Sequence, residues 1–485
     1  MRRRAMLCNS RPSFGPPLAI CAALACFSAC KRRVPESAPS AAPSASAAPV
    51  SASPRCSEPF PGKSFTLGER GAEAPDSGQE EDDGTDQPAL PFAVEIGRGL
   101  SFGDGFAVSA LSMQAGKTTA LVALLDAEAG TGRVAELGKL HANPEPPELA
   151  AFEDDLIALV HDTDAGGELL KLAAIKPSAG KLGVVLGAEI AESRDESRVA
   201  GLELGPERGV AIWDEWSATD KHGVIVTASF ARKDVSNVTK KRIVSTPSED
   251  AESPRIVRRP GGFWAAWVAR AITPKQKTLP PKPAAGPAPS ASADVSEPAV
   301  VELGERYLAA VPLDQNGVAL GEPKPVTPKN AHVLVFDLAP GADGSALLSW
   351  RDDDSAPGAE ERRIHLGRVR ADGSVERHLL DDEGPGVGAP ALLVDSAPKD
   401  PSAPHGWLSL GSVSDATRIG AVNASASLLD SLGPEPVVRS AELLALARGR
   451  LLLARPRGLA MELSVVECKP GPAPALAVAP PASSK

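Results

Sequence analysis

The sequence predicts an all-β fold assembled from a repeated unit of about four short strands. Three observations predict it. Apolar residues recur with period two, as in Gly223-Val-Ile-Val-Thr-Ala-Ser-Phe230 and Glu462-Leu-Ser-Val-Val-Glu-Cys468. Gly, Asp, Asn and Pro turns separate these runs. The whole pattern then recurs every 50 to 58 residues, from starts near Pro91, Pro147, Arg198, Pro254, Ala331, Ala389 and Arg439. The interval from Pro254 to Ala331 is longer by about the length of a Pro-rich insertion.

The chain opens with an export segment. Arg2, Arg3 and Arg4 form a basic start, and Leu18 to Phe27 is an apolar run of the length usual for a secretory signal. Phe27-Ser28-Ala29 places small residues before Cys30. This resembles the bacterial lipobox, with Phe27 standing where the family has Leu, Val or Ile. The resemblance implies a cleaved signal peptide over residues 1–29 and a lipid (palmitate) on Cys30. It also implies an exported, membrane-anchored protein. Lys31 is not the aspartate tied to inner-membrane retention, so the outer membrane is favoured, on either face. Cys26, after Ala23-Leu24-Ala25, competes as the lipidated residue. A signal peptide without lipid and an uncleaved anchor are the alternatives. The run from Phe14 to Cys30 is short of the roughly 20 residues a membrane span needs.

Composition is globular, at 42% hydrophobic, so most of the chain can bury a core. Removing residues 1–29 takes away four arginines and no acid, moving the formal charge from −11 to −15. An acidic body excludes nucleic acid as an expected partner. Four of the six cysteines lie in the export segment. With Cys30 lipidated, Cys56 and Cys468 remain, and export permits them to pair. Two unrelated buried thiols are the alternative.

Residues 30–59 read as a lipid-attached tether, since Pro35 to Arg55 is almost wholly Ala, Ser and Pro and can build no core. The repeat occupies residues 60–469. A disordered Pro-rich insertion covers 273–297 and a disordered tail 470–485. The acidic run Gly78 to Asp86 reads as a solvated loop.

Within each unit the second apolar run aligns well: Gly105-Phe-Ala-Val, Asp155-Leu-Ile-Ala, Gly209-Val-Ala-Ile, Gly262-Phe-Trp-Ala, Gly344-Ser-Ala-Leu, Gly406-Trp-Leu and Gly449-Arg-Leu. Six begin with glycine, as a tight turn would require. Trp213, Trp264, Trp267, Trp350 and Trp407 lie in or at the ends of these runs, where packing between neighbouring sheets is expected. Seven units of four strands resemble a seven-bladed β-propeller, with six or eight blades as alternatives. No specific family is marked by the repeat. The last unit has three strands, and Lys63-Ser-Phe-Thr-Leu67 is a spare one. The resemblance therefore implies closure by pairing of N- and C-terminal strands, with Cys56–Cys468 locking the ring.

No catalytic or metal-ligating constellation stands out, and no cofactor is expected. Ala115-Gly-Lys-Thr-Thr119 lacks the upstream glycine of a phosphate loop, because Leu111 stands there. His161-Asp-Thr-Asp-Ala-Gly-Gly-Glu168 is an incomplete calcium loop and reads as a charged hairpin tip. Arg351-Asp-Asp-Asp354 reads the same way. His141, His161, His222, His332, His365, His378 and His405 show no local metal spacing, which leaves gathering at a propeller axis open. Three functions follow. The first is a non-catalytic binding or scaffold module for a protein or carbohydrate ligand. The second is a propeller hydrolase or lyase using the central channel. The third is a purely structural envelope protein.

Overall fold

The computed structural model describes residues 55–68, 93–114, 117–140, 145–164, 167–178, 180–193, 199–274, 301–353, 362–380, 387–395, 404–412, 416–428, 438–439 and 442–470. Residues 1–29, read above as a signal peptide, Cys30, the acidic run and the bulk of the Pro-rich insertion and the tail lie outside them. No helix occurs among the described residues.

Strands β1 (Arg55–Ser57) and β2 (Phe65–Leu67) come first. The first blade is β3 (Ala93–Phe102), β4 (Gly105–Gln114), β5 (Lys117–Leu125) and β6 (Gly132–Leu140). The second is β7 (Glu148–Phe152), β8 (Asp155–Asp164), β9 (Gly167–Pro177) and β10 (Leu182–Ser193). The third is β11 (Ala200–Leu204), β12 (Arg208–Ser217), β13 (His222–Ala231), β14 (Asp234–Val238) and β15 (Arg242–Ile243). The fourth is β16 (Glu249–Arg259), β17 (Gly262–Pro274), β18 (Val301–Asp314) and β19 (Lys324–Pro325). The fifth is β20 (Val333–Pro340), β21 (Ala346–Asp353), β22 (Arg362–Val369) and β23 (Val375–Leu379). The sixth is β24 (Val387–Val394), β25 (Gly406–Ser412), β26 (Ala416–Val422) and β27 (Val438–Arg439). The seventh is β28 (Glu442–Ala447), β29 (Arg450–Arg457) and β30 (Ala460–Lys469), completed by β1 and β2.

Each blade is an antiparallel meander in sequence order. The first strand of every blade packs on the first strand of the next, and β28 returns to β3. These seven strands therefore ring the axis, and the molecule is a seven-bladed β-propeller.

Seven apolar clusters fill the seven spaces between neighbouring blades. Period two makes this possible, because alternate residues of one strand face opposite neighbours. Trp213 packs between the second and third blades and Trp267 between the third and fourth. Trp264 and Trp350 share the next space, and Trp407 lies between the sixth and seventh. All five are fully buried, as their positions in the repeat predict. Trp264 also donates to the Gly344 carbonyl of the next blade at 2.9 Å. Burying each such ring contributes on the order of 3 kcal/mol.

The glycine that starts the second run has a different cause from the one expected. A Cβ on Gly105 would lie 2.0 Å from the Leu125 carbonyl oxygen, and one on Gly262 2.1 Å from that of Leu313. Close approach of the third strand, not turn geometry, excludes a side chain there. Only Gly344 and Gly449 of that set adopt positive φ.

The terminal strands close the ring. β2 pairs with β30 as Phe65↔Leu463, Thr66↔Glu462 and Leu67↔Met461. β1 pairs with the far end of β30, Cys56 directly opposite Cys468. The two sulfurs form a disulfide across Cα atoms 4.1 Å apart. The seventh blade's outer strand is thus split in two. The ring also takes in residues 55–59, which composition alone assigns to the tether: Arg55 to Ser57 are β1, and Glu58 reaches Arg455 at 3.3 Å. Phe65 and Leu67 pack between the seventh and first blades.

Candidate functional site: the upper rim of the axis

The upper rim is the level of the axis at which the innermost strands enter their regular inner pairing, after the bulges in β3, β16 and β20. Charged side chains from several blades meet there. β3 carries a bulge between Ile96 and Gly99, and Arg98 lies inside it. A bulge re-aims a side chain, and Arg98 crosses from the first blade to pair with Asp337 on β20 of the fifth. Another bulge, between Glu252 and Arg255 on β16, precedes Arg255. Arg255 reaches Glu148 of the second blade at 3.4 Å, past the intervening third blade.

These pairs are unequal in construction. The Asp337 side chain is 4% exposed and accepts from the Leu338 and Leu392 amides at 2.9 and 2.7 Å. It is fixed independently of Arg98 and ties the fifth innermost strand to the sixth. The Arg98 side chain is 43% exposed. The Asp337 charge raises its pKa against the opposing effect of burial, with Glu148 and Glu442 adding to the rise.

Carboxylates predominate around these two arginines. Asp214, at the upper end of β12, accepts from Val199 and Ser253 amides at 2.8 and 3.0 Å. Burial raises it, against those hydrogen bonds. Glu252 takes Arg306 at 2.9 Å and Arg270 at 3.6 Å. Glu145, just before β7, has its carboxyl raised by desolvation at the crowded rim and then by the Glu148 charge, which outweigh Arg255. Lower down the axis, Glu203 on β11 is raised to about 7 by burial, opposed by Arg258 and by the Leu204 amide at 3.0 Å.

The motifs that stand out in the sequence lie elsewhere in the fold. Thr118 and Thr119 are in β5, which follows a hairpin with no helix; Ala115 and Gly116 lie outside the described residues. His161 and Asp162 lie within β8, paired with Leu170 and Leu169 of β9 and buried, and are not the solvated hairpin tip expected; residues 165–166 lie outside the described residues. Arg351 and Asp352 are in β21, with Asp354 outside the described residues. Asp352 meets His365 at 3.0 Å, and His365 stacks on Trp350 at 5.0 Å. Among the described residues, no histidine lies on an innermost strand, and no group of three or more His, Cys, Asp or Glu is placed to hold a metal ion. His141 lies outside them. Sequence reasoning missed Arg98, Glu148, Arg255, Asp337 and Glu145. Their one signal was a charge in or just before the first strand of a repeat.

These features define the class: a propeller closed by a terminal disulfide, with a charged rim spanned by ion pairs. No protein-family model and no curated protein matches the chain. Solved structures do. An α-L-arabinanase from Penicillium chrysogenum is 12% identical over 77% of this chain and 96% of its own, with a TM-score of 0.40. The β-propeller domain of the Trilobed protease from Pyrococcus furiosus is 10% identical over 79% and 98%, at 0.42. The polysaccharide lyase Uly1 is 10% identical over 81% and 93%, at 0.43. At these TM-scores no residue role passes from them to this chain.

Proposed function

We propose that the chain is an exported, membrane-tethered binding module whose recognition surface is the charged upper rim. The observation that carries the choice of surface is the pair of cross-axis contacts, Arg98 with Asp337 and Arg255 with Glu148. Charges gathered on an axis add little stability, because desolvation offsets their attraction. Their cost is better explained by recognition of a polar ligand, protein or carbohydrate. The Cys56–Cys468 disulfide supports export, since such bonds persist in oxidising compartments. The anchor is the lipid on Cys30, and the tether holds the ring off an outer-membrane surface.

A second reading, a hydrolase or lyase at the same rim, is favoured by Glu145. Its carboxyl holds a proton more readily than a free one, through burial first and then through Glu148 beside it, as a general acid needs.

Arrays of charged oligosaccharides and peptides test both. The expected result is binding that Arg98→Ala weakens at least tenfold, without turnover. Binding indifferent to Arg98→Ala and Arg255→Ala removes the rim as the surface. Cleavage abolished by Glu145→Gln replaces the first reading with the second. Palmitate labelling that persists in Cys30→Ala rejects the proposed anchor.

A further inference from the structure

The outer strand of the second blade breaks the rule by which sheet edges are protected. Exposed edges are ordinarily short or charged. β14, β15, β19, β23 and β27 have five residues or fewer. β6 is longer but carries Arg133, Glu136 and Lys139. β10 has 12 residues and no charge from Leu182 to Ala188. Among the described residues it hydrogen-bonds only to β9, and no described strand pairs with its other edge. Its register is regular from Leu182 to Leu186 and breaks at a bulge after Leu186. Val185 is 51% and Leu186 65% exposed. A flat apolar edge of five regular residues is a template for an added strand.

We infer that this edge pairs with the same edge of a second copy. The ends of the strand select that occupant. Lys181 stands immediately before β10, and Glu189 follows the apolar stretch. Antiparallel apposition centred on Val185 sets Lys181 of each copy opposite Glu189 of the other, twice over by the two-fold axis. Glu189 is 60% exposed and its contact with Lys171 is 3.4 Å, so it has room for a second cation. The result is one continuous eight-stranded sheet formed by two second blades. Five residues per edge fall short of the roughly 1,200 Å² of a tight interface, so the dimer is weak and reversible. Tethering two copies to one membrane would raise its occupancy; the pairing itself does not depend on the anchor.

Sedimentation velocity of the full chain from about 1 to 200 μM tests this. The expected result is a monomer–dimer equilibrium that Leu186→Lys weakens at least tenfold and that Leu320→Lys, an exposed change on another blade, leaves alone. Lys181→Glu is expected to weaken it and Lys181→Glu with Glu189→Lys to restore it. Near-UV circular dichroism confirms that each variant is folded. A wild-type monomer at every concentration overturns the inference. So does a dimer indifferent to Leu186→Lys, and so do open-ended aggregates in place of a closed dimer. Failure of the charge swap to restore a dimer lost in Lys181→Glu overturns the antiparallel arrangement.

Discussion

Replacing Cys56 and Cys468 together by serine removes the covalent closure of the ring. The bond spans a sequence separation of 412 residues. Loop-entropy arithmetic for so long a loop gives about 6 kcal/mol at 25 °C. For a ring of this size that corresponds to a fall in Tm of roughly 8 °C. The local effect is sharper. β1 is held by three residue pairs and the disulfide, whereas β2 is also held by Phe65 and Leu67 in the space between the seventh and first blades. Without the bond, β1 frays and β2 stays. Calorimetry measures the first effect. Hydrogen exchange measures the second, as faster exchange at residues 55–57 with protection kept at 65–67. A Tm within about 1 °C of wild type, or exchange unchanged at residues 55–57, would refute the claim that the disulfide closes the ring.

Three further outcomes follow from the axis and the blade spaces. Asp337→Ala strands the Leu338 and Leu392 amides and is expected to cost about 3 kcal/mol; Arg98→Met leaves those bonds intact and costs about 1, both read by urea unfolding. Glu203 has a folded pKa of about 7, above its ordinary 4.5, so the folded state binds the extra proton. Its contribution is fully present below pH 4.5 and is lost as pH rises towards 7, a penalty of about 3 kcal/mol. Glu203→Gln should therefore be more stable than wild type at pH 8 and indistinguishable from it at pH 4, and equal stability at pH 8 removes the assignment. Trp213→Ala opens a cavity between the second and third blades and is expected to cost about 4 kcal/mol, measured by the same unfolding curves.

The spaces between blades were legible because they obey a local rule. An apolar residue at every second position, in a run started by glycine, places Trp213, Trp264, Trp267, Trp350 and Trp407 correctly without any knowledge of the ring. The closure was legible for a similar reason: a three-stranded last unit and a spare strand leave one solution, and the cysteines fall on it. The cause of the glycines was not legible, because the obstruction at Gly105 is the carbonyl of Leu125, on a strand 20 residues away. The axis was illegible on a larger scale. Arg98 and Asp337 are separated by 239 residues, and what joins them is a bulge that turns Arg98 inward and a ring that brings the first blade opposite the fifth. Neither is written in period two; a bulge interrupts that period. The two arginines therefore sit where the repeat is broken, at the bulges of β3 and β16, while their partners Asp337 and Glu148 keep the regular register, and nothing in the period marks either pair.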